Sequence, residues 1–515
     1  MKISRIARIL LLLSLALTVL LAIALAVHWP SRPEVASAAS SLVEELAGPD
    51  RGMPTGDFGQ QLARLEAAVD AQRRAGQQQS GAFAEDLRTA AIRLSMSGPL
   101  APLTQRSLVA LGRHESLRVA LFWAMPLVGW MSEPFLFPLP TDVDASSSLQ
   151  RLMDVRARMG IAITLDNVGD ASNSPAEAAA YLAFYRHLVQ TATPDESGRP
   201  LYVSLKLSAL VDDLPFALSP EGQAKRAQIL DSLRELLSLS TNRAAASVFI
   251  RIDMEEYAYK DLTLALFREL IETSPELALD DTGQARIGVV IQAYLRESAR
   301  DLADLKAWGE AHAIRVPVRL VKGAYDDYEK ALAQSEGRPS PVWNFKASTD
   351  ASYDLLADYL LQHPERFNPR FATHNMTTQA RVMALAAARG YRPGEIEFQM
   401  LYGMGEPIKK ALVALGYQVR EYVPAGSLAR GLGYAGRRFA ELTNPDNALA
   451  RTLQGDYSAL AETPEFVGEQ DRLDGQAARA ALTASKSPHS RPPSKVYSPH
   501  QRSHTTTDAV SAGAR

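Results

Sequence analysis

VPVRLVKGA (316–324) opens on alternating β-branched residues, carries Arg319 inside the apolar run, and leaves through Lys322 and Gly323 into a charged, helix-length stretch. A cation inside an apolar strand is costly unless it is paired or used, so the run reads as a buried strand with a polar exit. The same pattern recurs in IAITLDNV (161–168), YVSLKLSAL (202–210), SVFIRIDM (247–254), IGVVIQAY (287–294), RFATHN (370–375), EIEFQML (395–401) and YQVREYVPAG (417–426). Eight such runs, each followed by a helix-length spacer, predict an α/β fold of the TIM type, a (βα)8 barrel over 151–450. The alternative, a doubly wound sheet, requires a phosphate-binding glycine turn after an early strand, and none follows one here. Gly431, Gly433 and Gly436 do spell GxGxxG, but after the eighth run and with no strand behind them, so they are not a nucleotide fingerprint.

Outward from the barrel the chain changes character. Residues 1–40 predict an N-terminal membrane anchor and tether, 41–150 a helical arm, and 451–515 a C-terminal extension, largely disordered. In the arm, Leu62, Leu65, Ala68 and Val69 fall on one helical face with charges opposite. Residues 119–131 are apolar but interrupted by Pro126, too short to span a bilayer. Ile9 to Val27 is uncharged and free of proline. At about 1.5 Å per residue it nears the hydrocarbon thickness of about 30 Å, which predicts a single transmembrane helix in the lipid bilayer through residues 9–27. Lys2, Arg5 and Arg8 precede it, which places the protein in the inner or cell membrane with the barrel on the outward, periplasmic side. The alternative is a signal peptide cleaved near Ala36-Ser37-Ala38, although its apolar run would exceed the usual length.

Composition narrows the chemistry. The 515 residues hold 55 Lys+Arg against 58 Asp+Glu, a net charge of -3, so no basic surplus offers a footprint for nucleic acid. Cysteine is absent, which excludes disulfides, thiolate metal sites, iron–sulfur clusters and cysteine nucleophiles. Chemistry must then rest on oxygen and nitrogen side chains or on a cofactor.

In such a barrel the active site gathers at the C-terminal ends of the strands. Those positions hold Asp166, Lys206, Asp253 with Glu255 and Glu256, Gln292, Arg319 with Lys322, Thr373-His374-Asn375, Gln399 and Tyr422. Their convergence predicts one polar pocket. Beyond the last strand, Tyr434, Arg437, Arg438 and Glu441 are spaced along one side of a helix. Two adjacent guanidinium groups there suit a carboxylate clamp, whereas a solvated face with an Arg–Glu pair is the plainer alternative. His374 has no second histidine at ligand spacing, so no metal site is expected.

The segments SLKLSAL, RIDMEE, VIQAYLR, VRLVKGAYDD, FATHN, EFQMLYGMGEP, EYVPAG and YAGRRFAEL, in this order over 161–442, resemble the proline dehydrogenase family, including the flavin domain of bacterial proline-utilisation proteins. The resemblance implies a distorted (βα)8 barrel that oxidises L-proline to 1-pyrroline-5-carboxylate by hydride transfer to FAD. It further implies a membrane quinone as electron acceptor and a separate pyrroline-5-carboxylate dehydrogenase for the product. By position, Lys206, Arg437 and Arg438 match the groups that hold the substrate carboxylate, and Leu401, Tyr422 and Tyr434 the wall against the ring. Asp253 and Glu441 match acidic groups that order them. The expected catalytic set is Lys206, Asp253, Tyr422, Arg437 and Arg438. The expected cofactor set is Asp253, Gln292, Arg319, Val321, Lys322, Gly323, Tyr325, Thr373, His374, Asn375 and Gln399.

Three positions depart from the family pattern. Asp326 stands where Trp is usual, Met254 where a small alanine is common, and Asn344-Phe345 where the bifunctional proteins have Thr and Arg. Two other readings follow: a flavin enzyme for another cyclic amine such as hydroxyproline, or a flavin-free amino-acid-binding homologue. Tyr422 favours proline, since a smaller residue there would make room for a ring hydroxyl.

Overall fold

Strand β1 (Ile161–Asn167) is buried along its whole length and pairs in parallel with both β2 (Tyr202–Leu205) and β8 (Gln418–Ala425). Between them run β3 (Phe249–Ile252), β4 (Ile287–Gln292), β5 (Val316–Val321), β6 (Phe367–Ala372) and β7 (Glu397–Leu401), and the eight parallel strands close into one barrel in sequence order. The computed structural model describes residues 56–77, 136–137, 145–169, 171–241, 248–426 and 464–483, with isolated positions at 434, 438, 449 and 452.

Helices α1 (Phe58–Gln77) and α2 (Ala145–Arg158) precede the barrel. Around it lie α3 (Pro175–Thr191), α4 (Gln223–Thr241), α5 (Lys260–Thr273), α6 (Ser298–Ala311), α7 (Asp326–Ser335), α8 (Lys346–Gln362), α9 (Met376–Ala388) and α10 (Glu406–Ala414), and α11 (Glu469–Thr483) follows. Local chemistry starts several of them. Ser174 accepts the Glu177 N–H ahead of Pro175 at the head of α3, and Asn375 caps α9 by accepting the Thr378 N–H at 3.2 Å. Leu62, Leu65, Ala68 and Val69 are all buried, as their spacing predicts, and α1 packs on α9 and α10. Within the C-terminal extension, Glu469–Thr483 is a helix docked on α6 and α8, while residues 484–515 lie outside the described residues.

Strand alternation fills the barrel in layers. Towards the strand N-termini lie Arg251, Arg370 and Arg420 with Glu397. Arg420 lies 3.6 Å over the Tyr202 ring, which stacks on Phe249, and Arg251 covers Phe249 in turn. Glu397 accepts from Arg420 at 3.1 Å and from Gln399 at 2.7 Å. Burial alone would raise its pKa, but the charges of Arg420 and Arg370 hold it at about 2. Arg251 has two backbone acceptors, Val289 O at 2.9 Å and Pro317 O at 2.6 Å, and burial depresses its pKa well below the usual arginine value. One layer further along the strands sit Asp166, Lys206, Asp253, Arg319, Gln399 and Tyr422.

One part of the expected architecture is corrected. Among the described residues no helix is long and apolar enough to cross a membrane. The long helix α1 is amphipathic. In α1, Arg64, Glu66, Asp70 and Arg73 alternate with the apolar face that buries against the barrel. The single-pass transmembrane helix, and the membrane-anchored, outward-facing localisation drawn from it, are therefore withdrawn. Residues 9–27 lie outside the described residues, as do 119–131.

Candidate active site

The strand ends place Asp253 at the centre of a hydrogen-bonded cluster. Its Oδ1 accepts from Arg319 Nη1 at 2.6 Å and from Ser204 Oγ at 3.2 Å, and its Oδ2 accepts from the Tyr422 hydroxyl at 2.8 Å. Arg319 also donates to Gln399 Oε1 at 2.7 Å and lies 5.3 Å from the Tyr422 ring centroid. Three strands thus fix the carboxylate, and both its oxygens are engaged. Burial first, and the negative charges of Asp166 and Asp253 second, raise the Tyr422 pKa well above the usual tyrosine value, so its hydroxyl remains a donor.

Beside this cluster Lys206 Nζ donates to Asp166 Oδ2 at 2.9 Å. Burial would lower the Lys206 pKa, but Asp166 raises it well above the usual range, so the ammonium persists. The lysine side chain as a whole keeps 24% exposure. Its backbone begins the turn 207–210, and that turn is held from β3. Glu255 accepts the Ser208 N–H at 3.1 Å and also the Ser208 hydroxyl.

His374 accepts the Leu401 N–H on Nε2 at 2.9 Å, so its neutral ring carries the proton on Nδ1. Burial, then the charges of Lys409 and Arg438, push its pKa down to about 3. The Arg438 guanidinium lies 5.1 Å from the Tyr434 ring centroid. Leu401 is partly buried beside them. Arg437 and Glu441 lie outside the described residues.

The remaining expected positions line the β4, β5 and β6 exits. Gln292 donates to Glu255 O at 3.2 Å, while its buried Oε1 has no partner among the described residues. Lys322 pairs with Asp350; burial lowers the lysine pKa although the carboxylate opposes this. Gly323 has φ +133°, and a Cβ there would collide with the Tyr294 ring, so only glycine fits. Tyr325 packs on the cluster of Tyr294, Leu295 and Val342, and Val321 is half-buried at the end of β5. Thr373 Oγ1 accepts the Asn375 N–H at 3.1 Å, and Asn375 spends its own oxygen on capping α9. An unpaired buried acceptor on Gln292 and cations at Arg319 and Lys322 suit a planar group with hydrogen-bonding edges.

Two departures acquire a structural reason. Asp326 starts α7, where a carboxylate favours the helix N-terminus, and it pairs with Lys330 at 2.6 Å on the surface. Met254 is buried, and its carbonyl faces Gln292 Nε2 at 3.4 Å. Residue-type reasoning missed Ser204 and Tyr185. The Tyr185 hydroxyl accepts the Asn167 N–H at 2.9 Å and donates to Ser204 O at 2.5 Å, tying β1 to β2. Ser204 was findable, since it lies two residues before Lys206 and so on the same face of the strand. Tyr185 on a helix carried no such signal.

The family model described as Proline dehydrogenase matches residues 149–451. The bifunctional protein PutA of Klebsiella aerogenes is 32% identical over 342 residues, covering 64% of this chain and 25% of that protein. The proline dehydrogenase of Deinococcus radiodurans is 32% identical over 306 residues, covering 58% of this chain and 82% of the relative. Among solved structures, proline utilization A from Bdellovibrio bacteriovorus inactivated by N-propargylglycine superposes with a TM-score of 0.61 at 29% identity, covering 78% of this chain and 44% of that one. The chain thus spans a quarter of the Klebsiella protein and under half of the Bdellovibrio one. With more than half its length matched by that family model, the chain belongs to the proline dehydrogenase family.

Proposed function

We propose that the chain oxidises L-proline to 1-pyrroline-5-carboxylate with FAD as the hydride acceptor. The observation that carries the reading is the pairing of Lys206–Asp166 with the Asp253–Arg319–Tyr422 cluster at one mouth of the barrel. When bound, FAD supplies the two-electron acceptor for hydride from the carbon beside the amine. The protein's part is binding and orientation. Lys206 and Arg438, with Arg437, hold the substrate carboxylate by charge-assisted bonds. Leu401, Tyr422 and Tyr434 form the wall against the ring, and Asp253 keeps the Tyr422 hydroxyl from turning. Glu441 orders the arginines. Such fixed orientation lowers the barrier without a nucleophile.

Asp253, Gln292, Arg319, Val321, Lys322, Gly323, Tyr325, Thr373, His374, Asn375 and Gln399 hold the flavin in this reading. The open Gln292 acceptor supports that fit, because the isoalloxazine ring carries both donors and acceptors along one edge. A quinone then takes the electrons, and a separate pyrroline-5-carboxylate dehydrogenase takes the product.

The test is an anaerobic visible spectrum of the FAD-supplied full chain before and after L-proline. Bleaching of the flavin band with proline supports the reading. Bleaching only with another cyclic amine, or a protein that stays colourless after FAD is supplied, overturns it.

A further inference from the structure

Asp471, in the first turn of α11, is a wholly buried carboxylate far from the barrel mouth in sequence. Its Oδ1 accepts from Asn344 Nδ2 at 3.0 Å and meets Arg296 Nη2 at 2.9 Å. Its Oδ2 accepts the backbone N–H groups of Asn344 at 3.0 Å and Phe345 at 3.3 Å. Asp474, one turn on, takes the other end of the Arg296 guanidinium at 2.6 Å. A buried charge is tolerated only when it is bonded this fully, and anchoring a surface helix does not require one. Phe466 against Trp343 and Ala478 in the core already supply apolar docking.

The groups that Asp471 grips lead inward. Arg296 lies 5.1 Å from the ring centroid of Trp343, which is buried. Trp343 donates from its indole to Ala293 O at 2.9 Å and from its backbone to Tyr294 O at 3.0 Å. The Tyr294 N–H donates to Lys322 O at 2.7 Å, and its ring fills the space that Gly323 leaves by having no side chain. An unbroken series of contacts therefore runs from Asp471 to the β5 exit. Asn344, one of the departures from the family pattern, is the first link.

We infer that Asp471 is a positioning residue for the Gly323–Tyr294 face of the flavin seat, acting through Arg296, Asn344 and Trp343. The inference rests on the flavin reading above. It gives the C-terminal helix a task in cofactor binding, as a buttress behind the seat.

The experiment titrates FAD into the deflavinated full chain by fluorescence, with D471A, N344A and L482A beside the wild type. L482A loosens the far end of α11 and leaves Asp471 in place. The expected result is a rise of about tenfold in the FAD dissociation constant for D471A, the loss of charge-assisted bonds, and a smaller rise for N344A. L482A stays within about twofold even if its melting temperature falls as far. Once saturated with FAD, D471A keeps its proline KM and kcat within about twofold. Wild-type affinity in D471A overturns the inference alone, as does an equal loss in L482A, which would make helix docking the whole cause. Should D471A fail to fold, N344A decides by the same criterion. A wild type that takes up no FAD overturns the flavin reading and this inference with it.

Discussion

Single side chains divide the site into two electrostatic units that meet at the barrel mouth. Asp253 is saturated by Arg319, Ser204 and Tyr422, and is best understood as a fixed strut. Lys206 has one strong partner and partial exposure, and is the group with charge to spare. Lys206→Met is therefore expected to raise the proline KM by about 10–100-fold, the loss of one charge-assisted contact, with a smaller change in kcat. Steady-state kinetics at saturating FAD checks this. Asp166, stripped of its partner, keeps its raised pKa, because burial and the neighbouring Asp253 both disfavour its charge. Double substitution with Asp166→Asn should then cost little more than Lys206→Met alone. Most of this layer was legible in the sequence. Polar residues inside apolar runs announce themselves, and Asp166, Lys206, Asp253, Arg319, Gln399 and Tyr422 all converge. What stayed hidden was pairing. Nothing in the runs says that Asp166 answers Lys206 while Asp253 answers Arg319, since that depends on the stagger between strands.

Among the elements, the barrel strands and α1 follow their periodicity, whereas α11 does not. In α1 the apolar spacing alone identifies the buried stripe, and Leu65 and Val69 are fully buried where α1 crosses α9 and α10. Leu65→Ala should cost about 2–5 kcal/mol by transfer and cavity terms, read as a lower denaturation midpoint. If that contact seats the arm independently of the barrel, an early partial transition appears; if the arm and barrel are one unit, the single transition moves as a whole. The α11 segment has the opposite character. Its anchor is a carboxylate, a residue type that sequence reading assigns to solvent. A polar helix whose decisive contact is a buried Asp471 gives no apolar signal, which is why the C-terminal extension offered no warning of a docked element. The membrane-spanning helix expected from residue hydropathy is the converse lesson, because an apolar run by itself does not establish a span.

At the scale of the whole molecule, the barrel interior is a low-dielectric vessel lined with charge. Glu397 stands among Arg370, Arg420 and Gln399, and its pKa of about 2 lies below the value of about 4.3 for a free glutamate. The unfolded chain therefore binds the extra proton between those values, and this contribution is fully present above about pH 4.3 and lost as pH falls through 2. His374 acts in the same sense over a higher window, since its folded pKa of about 3 lies below the free imidazole value of about 6.5. Asp354 and Asp301, whose pKa values burial raises to about 7 and about 6, contribute in the opposite sense over the same range. Each assignment is therefore read as the difference in denaturant midpoint from wild type: His374→Gln should remove a loss of stability on acidification that begins near pH 6.5. Glu397→Gln should flatten only the part below about pH 4.3. Variants whose midpoints differ from wild type by the same amount at every pH from about 7 to about 2 would contradict both assignments. The arginine layer has a further meaning for traffic. With Arg251 pressed on Phe249, Arg420 on Tyr202, and Glu397 locked between guanidinium groups, the lower end of the barrel is stoppered by charge and ring. Among the described residues that layer closes the lower end, so whatever enters from the strand C-termini leaves the way it came, and arrival and departure share a single queue.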